Sequence, residues 1–293
     1  MFPAPPMPDF APGQSTLTTA PMRYEDLTQD GRLTPIALPP SMSGLWRDVL
    51  TDHPGARNAL KSGVIPILTR MTLVSEDQPI HVNRPVEVRA GFELAHDRDD
   101  AGAVTRLFMN VWTEVRGAAG RISPNSKPGP LAFAGRLFAE HTFTRLLAPP
   151  DQRKVTRLAV DGYPEVPSAY HHPPAPSTAQ EAPAGGRWLD ELGPDTTPYD
   201  FTLDQTDSNQ HVNSLVYIRI FLDAANRRLA AAGRRGKLRS RAVDIAYRKP
   251  SFAGDRVSAQ LRLYENSDSL GAAGFIAGDD GKPRVYVRVA IAT

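Results

Sequence analysis

The order of the expected elements repeats within this chain, and that repetition restricts the fold more than any other sequence feature. In each half, an apolar segment of helical character precedes several stretches in which apolar and polar residues alternate, as in strands with one buried face. The helix candidates are residues 42–50 and the segment that begins at Val212. The strand candidates are residues 16–24, 64–74, 86–94 and 104–115 in the first half and 241–248, 257–264, 274–277 and 284–292 in the second. This order predicts an α+β chain in which two similar units share one long antiparallel sheet.

The two halves correspond most clearly at two places. Residues 32–34 match residues 211–213, and residues 79–86 match residues 250–257. At three polar positions the halves differ: the first has Thr28, Asp30 and Arg32 where the second has Asp207, Asn209 and His211. We therefore expect a structural role for the first unit and one active site per chain, in the second unit.

Composition limits the class of protein and of site. The chain has 293 residues, 41% hydrophobic and 23% charged, which is enough apolar material for a sizeable core. A formal net charge of +2 is too small to indicate nucleic-acid binding. The absence of cysteine excludes disulfides, thiolate metal sites and a cysteine nucleophile.

Four segments follow from these patterns. Residues 1–13 are Pro-rich and lack the features of a signal peptide, so we expect a disordered leader and a cytoplasmic protein. Residues 14–120 form the first unit, 121–198 a linker with a short helix at 151–158 and a Pro-rich passage, and 199–293 the second unit. No apolar run has the length of a membrane span. The adjacent His171 and His172 in the linker are expected to be solvent-exposed, and we expect no metal and no cofactor.

Residues 202–222 hold the strongest functional signal. A polar turn that contains Asp207, Asn209 and His211 runs directly into an apolar helical segment, which Asn213 or Ser214 would cap. The free N–H groups and the positive end of the helix dipole favour negative charge at such a start. A developing oxyanion would be stabilised there.

The run from Asp207 to Asn213, DSNQHVN, followed by Tyr217, resembles the D-x-N-Q-H-V-N-N-x-x-Y signature of the fatty acyl-ACP thioesterases. This resemblance implies a double hotdog fold, with the motif at the head of the second hotdog helix. It also implies hydrolysis of a fatty or polyketide acyl thioester on acyl carrier protein or CoA. In that family the equivalents of Asp207, Asn209 and His211 are catalytic, acting with a glutamate on a later strand. By the same resemblance we assign substrate binding to Asn213, Ser214, Tyr217 and Ser251.

The expected glutamate is missing. When the family pattern L-E-Y-R-R-E-C is aligned with residues 245–251, Pro250 stands at the glutamate and Ser251 at the following cysteine. Proline can neither accept a proton nor attack a carbonyl carbon. His211 could then act as general base, oriented by Asp207, while Asn209 and helix N–H groups stabilise the oxyanion.

Two further hypotheses stay open. The site could catalyse dehydration, isomerisation or cyclisation of a carrier-bound polyketide, or the protein could bind acyl chains without catalysis. A second motif, from Asp77 to His81, resembles the D-x-N-P-I-H motif of hotdog enoyl hydratases. It follows the helix candidate instead of preceding it, so an inter-strand turn is the better interpretation.

A basic cluster follows the second helix. Positive charge at a helix C-terminus is favourable in itself, and it also suits docking of an acidic acyl carrier protein. The residues assigned to docking are Arg234, Arg235, Lys237 and Arg239. No aromatic platform accompanies these charges, so a nucleic-acid partner is not expected. The chain could be a monomer with pseudo-dimeric halves or a homodimer.

Overall fold

One mostly antiparallel sheet dominates the structure, a computed structural model that describes residues 2, 4–123, 126–234, 236–267 and 269–292. Within these residues, thirteen strands join in a single sheet. The strands are β1 (Ser15–Ala20), β2 (Val64–Ser75), β3 (Val86–Arg98), β4 (Val104–Ala118), β5 (Leu131–Arg145), β6 (Ala169–Tyr170), β7 (Arg187–Trp188), β8 (Gly193–Pro194), β9 (Tyr199–Asp200), β10 (Arg239–Tyr247), β11 (Arg256–Glu265), β12 (Leu270–Gly278) and β13 (Pro283–Ala292).

The strand order shows the internal repeat directly. The sheet runs β1-β3-β4-β5-β2-β10-β13-β12-β11-β7, so the block β2-β5-β4-β3 is repeated as β10-β13-β12-β11. The two blocks meet where β2 and β10 pair antiparallel, with Ile245 opposite Met71. Each block therefore forms half of one continuous sheet.

Three α-helices accompany the sheet in the described part of the chain. They are α1 (Ser43–Leu45), α2 (Pro54–Lys61) and α3 (Ser214–Ala231). A 3-10 turn at Pro39–Met42 leads into α1, and a π-helical turn at Trp46–Leu50 extends it, so the first-half helix is short and irregular. In contrast, α3 is an 18-residue helix that packs on β10, β11, β12 and β13. None of the helices among the described residues combines the length and apolarity needed to cross a bilayer.

The expected linker begins too early. Strand β5, at Leu131–Arg145, lies inside the predicted linker of residues 121–198 and pairs with both β2 and β4. The polar, Pro- and Gly-containing stretch 121–130 resembles the start of a linker, but it is the loop of a hairpin between β4 and β5. The helix expected at 151–158 is also wrong: a 3-10 turn at Pro150–Gln152 is the helical structure there.

The linker histidines are not equivalent. The His171 side chain is only 14% exposed, because its Nε2 lies 2.7 Å from Oε2 of the buried Glu140. The expectation that His171 is solvent-exposed is therefore wrong, whereas His172 is exposed as expected. A buried carboxylate on β5 supplies a partner that the linker sequence alone could not reveal.

The Pro-rich leader packs on the sheet, contrary to the expected disorder. Phe2 is only 6% exposed, and Phe10 lies with its ring centroid 6.0 Å from that of Trp112. The Trp112 indole Nε1 donates to the Pro5 carbonyl oxygen at 3.2 Å. Two phenylalanines and one hydrogen bond thus hold a segment whose prolines already restrict its backbone. Met1 and Pro3 lie outside the described residues.

A buried charge cluster crosses the junction between the halves. Asp244 on β10 is fully buried and accepts from Arg70 Nε at 2.9 Å and Nη2 at 2.6 Å, and from Arg288 Nη2 at 2.9 Å. The Thr72 hydroxyl donates to the same carboxylate at 3.2 Å. Arg70 and Thr72 belong to the first half and Arg288 to the second, so this carboxylate ties the two halves together.

We predict that Asp244→Asn lowers the free energy of unfolding by about 3–5 kcal/mol, since it leaves two guanidinium groups buried without a counter-charge. Chemical denaturation measures this loss. The control is Asp200→Asn, which breaks an exposed salt bridge to Arg256 and should lower the free energy of unfolding far less. Similar losses in the two variants would contradict a special role for the buried cluster.

The imidazole of His141 on β5 gives a pH-dependent prediction. Its ring packs edge-on against Trp46 at 5.9 Å between centroids, and burial lowers its pKa from 6.5 to about 4. Between these pH values the unfolded chain binds more protons than the folded chain, so stability falls as the pH falls from 6.5 towards 4. The decrease in the free energy of unfolding that this one group causes across that range reaches about 3 kcal/mol.

The variant His141→Gln removes this titration. Its free energy of unfolding should fall less steeply than that of the wild type between pH 6.5 and 4, whatever its stability at neutral pH. Denaturation curves recorded across that range give the two slopes. Parallel slopes would show that His141 does not titrate as its burial implies.

Candidate functional site

The polar turn before α3 is closed by backbone hydrogen bonds. The Asp207 N–H donates to the His211 carbonyl oxygen at 3.1 Å, and the Gln210 N–H donates to the Asp207 carbonyl oxygen at 2.9 Å. Gln210 adopts a left-handed conformation with φ of 65°. An isolated bridge between Thr206 and Val212 holds the base of the loop. Local hydrogen bonds therefore present the motif at the start of the helix.

The first half builds the same turn. The Thr28 N–H donates to the Arg32 carbonyl oxygen at 2.7 Å, and the Gly31 N–H donates to the Thr28 carbonyl oxygen at 2.9 Å. Gly31, with φ of 82°, occupies the position of Gln210, and a bridge between Leu27 and Leu33 closes the loop. The sequence correspondence between the two turns is thus also a correspondence of backbone geometry.

The two turns carry different side chains. In the first, Arg32 forms salt bridges with Asp30 and, at 3.9 Å, with Asp77, and its Nε also donates to the Asp77 carbonyl oxygen at 2.6 Å. Asp77, from the hydratase-like motif, also pairs with Arg239 and, at 3.4 Å, with Arg241. The functional groups of the first turn are therefore engaged in ion pairs that join the halves.

In the second turn, Asp207 organises the backbone. Its Oδ1 accepts from the Asn209 N–H at 2.9 Å, and its Oδ2 accepts from the Asn213 amide at 3.4 Å. No hydrogen bond between the Asp207 carboxylate and the His211 ring is present, so the expected direct orientation of the histidine is not seen. Within the described part of the chain, the half-buried His211 ring has no hydrogen-bond or ion-pair partner, and the Asn209 side chain is exposed.

Asn213 connects this turn to the helix. Its side-chain Oδ1 accepts from the Leu215 N–H at 3.0 Å, which confirms Asn213 as the N-cap of α3. Because its amide also donates to Asp207, one side chain fixes the carboxylate relative to the positive end of the helix dipole. Ser214, the first residue of α3, is partly buried, and its carbonyl oxygen accepts from the Tyr247 hydroxyl at 3.3 Å.

Tyr217 and Ser251 lie behind the turn. The Ser251 N–H donates to the Tyr217 hydroxyl oxygen at 3.0 Å, and the Ser251 carbonyl oxygen accepts from the Val212 N–H at 2.8 Å. Ser251 is fully buried and Tyr217 nearly so, and burial raises the pKa of the Tyr217 hydroxyl. These two residues therefore support the turn from beneath, which does not fit the direct contact with substrate that the sequence suggested.

Pro250 lies beside the motif. The hydrogen bond from Val212 to Ser251 brings the segment after β10 against the turn, so Pro250 and His211 are each one residue away from that contact. Pro250 is solvent-exposed. The position aligned with the family glutamate thus adjoins the motif in space, and the residue there has no acid–base group.

A cleft of about 510 Å³ begins at this turn and follows α3. Gln205 and Asn213 line its end near the motif, and Leu215, Arg219 and Asp223 line it along the helix. These helix positions were not predicted from the sequence. The sequence signal for these positions is their four-residue spacing, which places Leu215, Arg219 and Asp223 in one stripe along the helix.

The proposed docking residues have different surroundings. Arg239 is only 13% exposed and is bound to Asp77, so it is not available to a partner. Arg234 is exposed and lies 3.9 Å from Glu265, and Lys237 is exposed. Arg235 lies outside the described residues. A docking surface would therefore depend on Arg234 and Lys237 and not on Arg239.

Comparison with known proteins identifies the architecture. No protein-family model and no curated protein sequence matches the chain. Among solved structures, an acyl-ACP thioesterase from Bacteroides thetaiotaomicron is 17% identical, with a TM-score of 0.61 over 94% of this chain and 97% of the other. A protein from Lactobacillus plantarum assigned as an oleoyl thioesterase is 16% identical, with a TM-score of 0.64 over 97% and 98% of the two chains.

A third solved structure agrees with these two. The 12:0-ACP thioesterase from Umbellularia californica is 13% identical, with a TM-score of 0.57 over 94% of this chain and 96% of the other. At such low identity the likeness concerns the fold and not the reaction. The chain is a double hotdog protein, with the architecture of the acyl-ACP thioesterase structures.

Proposed function

We propose that this protein hydrolyses an acyl thioester carried by acyl carrier protein or CoA. The observation that carries the proposal is the divergence of two turns with the same backbone. The first turn holds an arginine engaged in salt bridges, whereas the second presents His211, Asp207 and Asn209 at the start of α3. Arg32 is ion-paired and the His211 ring has no partner among the described residues, and this difference supports a chemical role for the second turn.

In this proposal His211 is the general base. It removes a proton from a water molecule whose oxygen attacks the thioester carbonyl carbon. The oxyanion that forms is stabilised by the Asn209 amide and the positive end of α3. When the carbon–sulfur bond breaks, the proton held by His211 passes to the leaving sulfur, which departs as the thiol.

Asp207 is a positioning residue in this scheme. Its contacts with the Asn209 backbone and the Asn213 amide fix the loop on which His211 stands. Because the carboxylate does not bond the imidazole directly, its effect on the histidine passes through the loop. Tyr217 and Ser251 act in the same indirect way from the buried side.

Pro250 favours a second candidate function. A thioesterase of the resembled family would have a glutamate at this exposed position next to the motif, and proline cannot replace its acid–base role. The second candidate is dehydration, isomerisation or cyclisation of a carrier-bound polyketide, with His211 and Asp207 as the proton-transfer groups. Mass spectrometry of the intact acyl group separates these reactions from hydrolysis, and an unchanged ligand would indicate an acyl-binding protein.

We predict that His211→Ala lowers the rate of thiol release from acyl-CoA by about 10²–10⁴-fold, the usual contribution of a positioned general base. A thiol reagent measures the release, and the protein has no cysteine that would add a background signal. The control is His172→Ala, which removes an exposed histidine of the linker. Near-full activity of His211→Ala would remove this residue from the mechanism.

The carrier-docking hypothesis makes a separate prediction. The double variant Arg234→Glu/Lys237→Glu should raise KM for an acyl-carrier substrate and leave KM for an acyl-CoA unchanged, because only the carrier presents an acidic protein surface. For the wild type, added salt should likewise raise KM for the acyl-carrier substrate and leave KM for the acyl-CoA unchanged.

Lys61→Glu is the control for charge reversal, since Lys61 is an exposed lysine in the last turn of α2 in the other half. It should leave both KM values unchanged. An unchanged KM for the carrier substrate in the double variant would exclude this surface as the docking site.

A further inference from the structure

The cleft along α3 has a mixed lining. Six of its ten lining residues are polar or charged, and the apolar ones include Leu215 and Ile220 on the helix. Its volume of about 510 Å³ is within the usual range for small-molecule sites. A site with this composition suits a ligand that has both methylene groups and hydrogen-bonding groups.

The cleft is continuous with the motif through Asn213. This residue lines the cleft, and its amide lies 3.4 Å from Asp207 Oδ2. Arg219 and Asp223 stand six and ten residues farther along the chain, which at the rise of an α-helix is about 9 and 15 Å from Asn213. A group extending from a thioester at the turn would therefore pass these two side chains.

Arg219 and Asp223 have unused hydrogen-bonding capacity. Both are exposed, and within the described residues neither forms a hydrogen bond or a salt bridge. A plain hydrocarbon chain in the cleft would displace water from these groups without replacing its hydrogen bonds, which is unfavourable. An acyl group with hydroxyl or keto oxygens would replace them while its methylene groups pack on Leu215 and Ile220.

We propose that this cleft receives the acyl group of the substrate, and that this acyl group carries hydroxyl or keto oxygens along its length. The inference rests on the proposed function, and it names a substrate class for the site. It distinguishes this protein from an enzyme for saturated fatty acyl chains, for which an apolar site is the suitable environment.

The test compares CoA thioesters of equal carbon number: octanoyl, β-hydroxyoctanoyl, β-keto-octanoyl and ω-hydroxyoctanoyl. Thiol release gives kcat/KM for each. We expect at least one oxygenated substrate to exceed octanoyl by about tenfold or more, since a site with polar groups discriminates against an analogue that leaves them unpaired. An octanoyl value equal to or above all of the oxygenated values would overturn the proposal.

Two variants test whether the preference for oxygenated substrates over octanoyl depends on the cleft. Arg219→Leu should reduce the ratio of kcat/KM between the preferred oxygenated substrate and octanoyl by about tenfold, because it removes one hydrogen-bonding group from the cleft. Asn226→Leu is the control, since Asn226 is an exposed residue of α3 outside the cleft lining, and the ratio should not change. An unchanged ratio in Arg219→Leu would place the acyl group elsewhere.

A binding measurement separates this inference from the proposed function. If no thioester is hydrolysed, the proposed function fails. The affinities of the thioether analogues of octanoyl-CoA and of the hydroxyoctanoyl-CoAs, measured by calorimetry with the wild-type protein, then decide the question. Tighter binding of an oxygenated analogue, reduced in Arg219→Leu, supports the cleft as its site, and equal or weaker binding overturns it.

Discussion

The pairing of β2 with β10 around Asp244 is the constraint on which the rest of the structure depends. This carboxylate is fully buried and is held by guanidinium groups from both halves. A shift of one residue in the strand pairing would turn Asp244 towards the apolar face, where no counter-charge could reach it. The leader and the linker meet the same cluster, since the Phe2 ring lies 4.9 Å from the Arg288 guanidinium and the Thr178 hydroxyl accepts from Arg70.

The same backbone turn occurs in both halves that meet at this junction, with different side chains in each half. Both turns have the same pattern of backbone hydrogen bonds and a left-handed residue at the same position, although the side chains at the three polar positions differ. In the first turn, Arg32 contributes to the ion pairs between the halves. In the second, the His211 ring has no hydrogen-bond or ion-pair partner among the described residues. The same turn geometry thus occurs in both halves, and ion pairs engage the side chains of the first copy.

Much of the fold could be predicted from the sequence, because alternation and turn residues define most strands locally. Strands β3, β4, β11 and β13 and the N-cap Asn213 were all predicted close to their observed positions. Strand β5 was missed because the hairpin loop before it has the composition of a linker. The disordered leader and the exposed His171 were wrong for a common reason: each is held by residues far away in the chain, Trp112 and Glu140 respectively.

The sequence by itself determined the repeat of elements and the polar turn at the head of α3, because the hydrogen bonds of that turn join residues within six positions of one another. Only the tertiary structure decided what surrounds the turn. The placement of Pro250 beside His211, the burial of Tyr217 and Ser251, the pairing of Arg239 with Asp77 and the cleft along α3 all join segments far apart in sequence. Such contacts follow from sheet register and helix packing, which a local pattern does not encode.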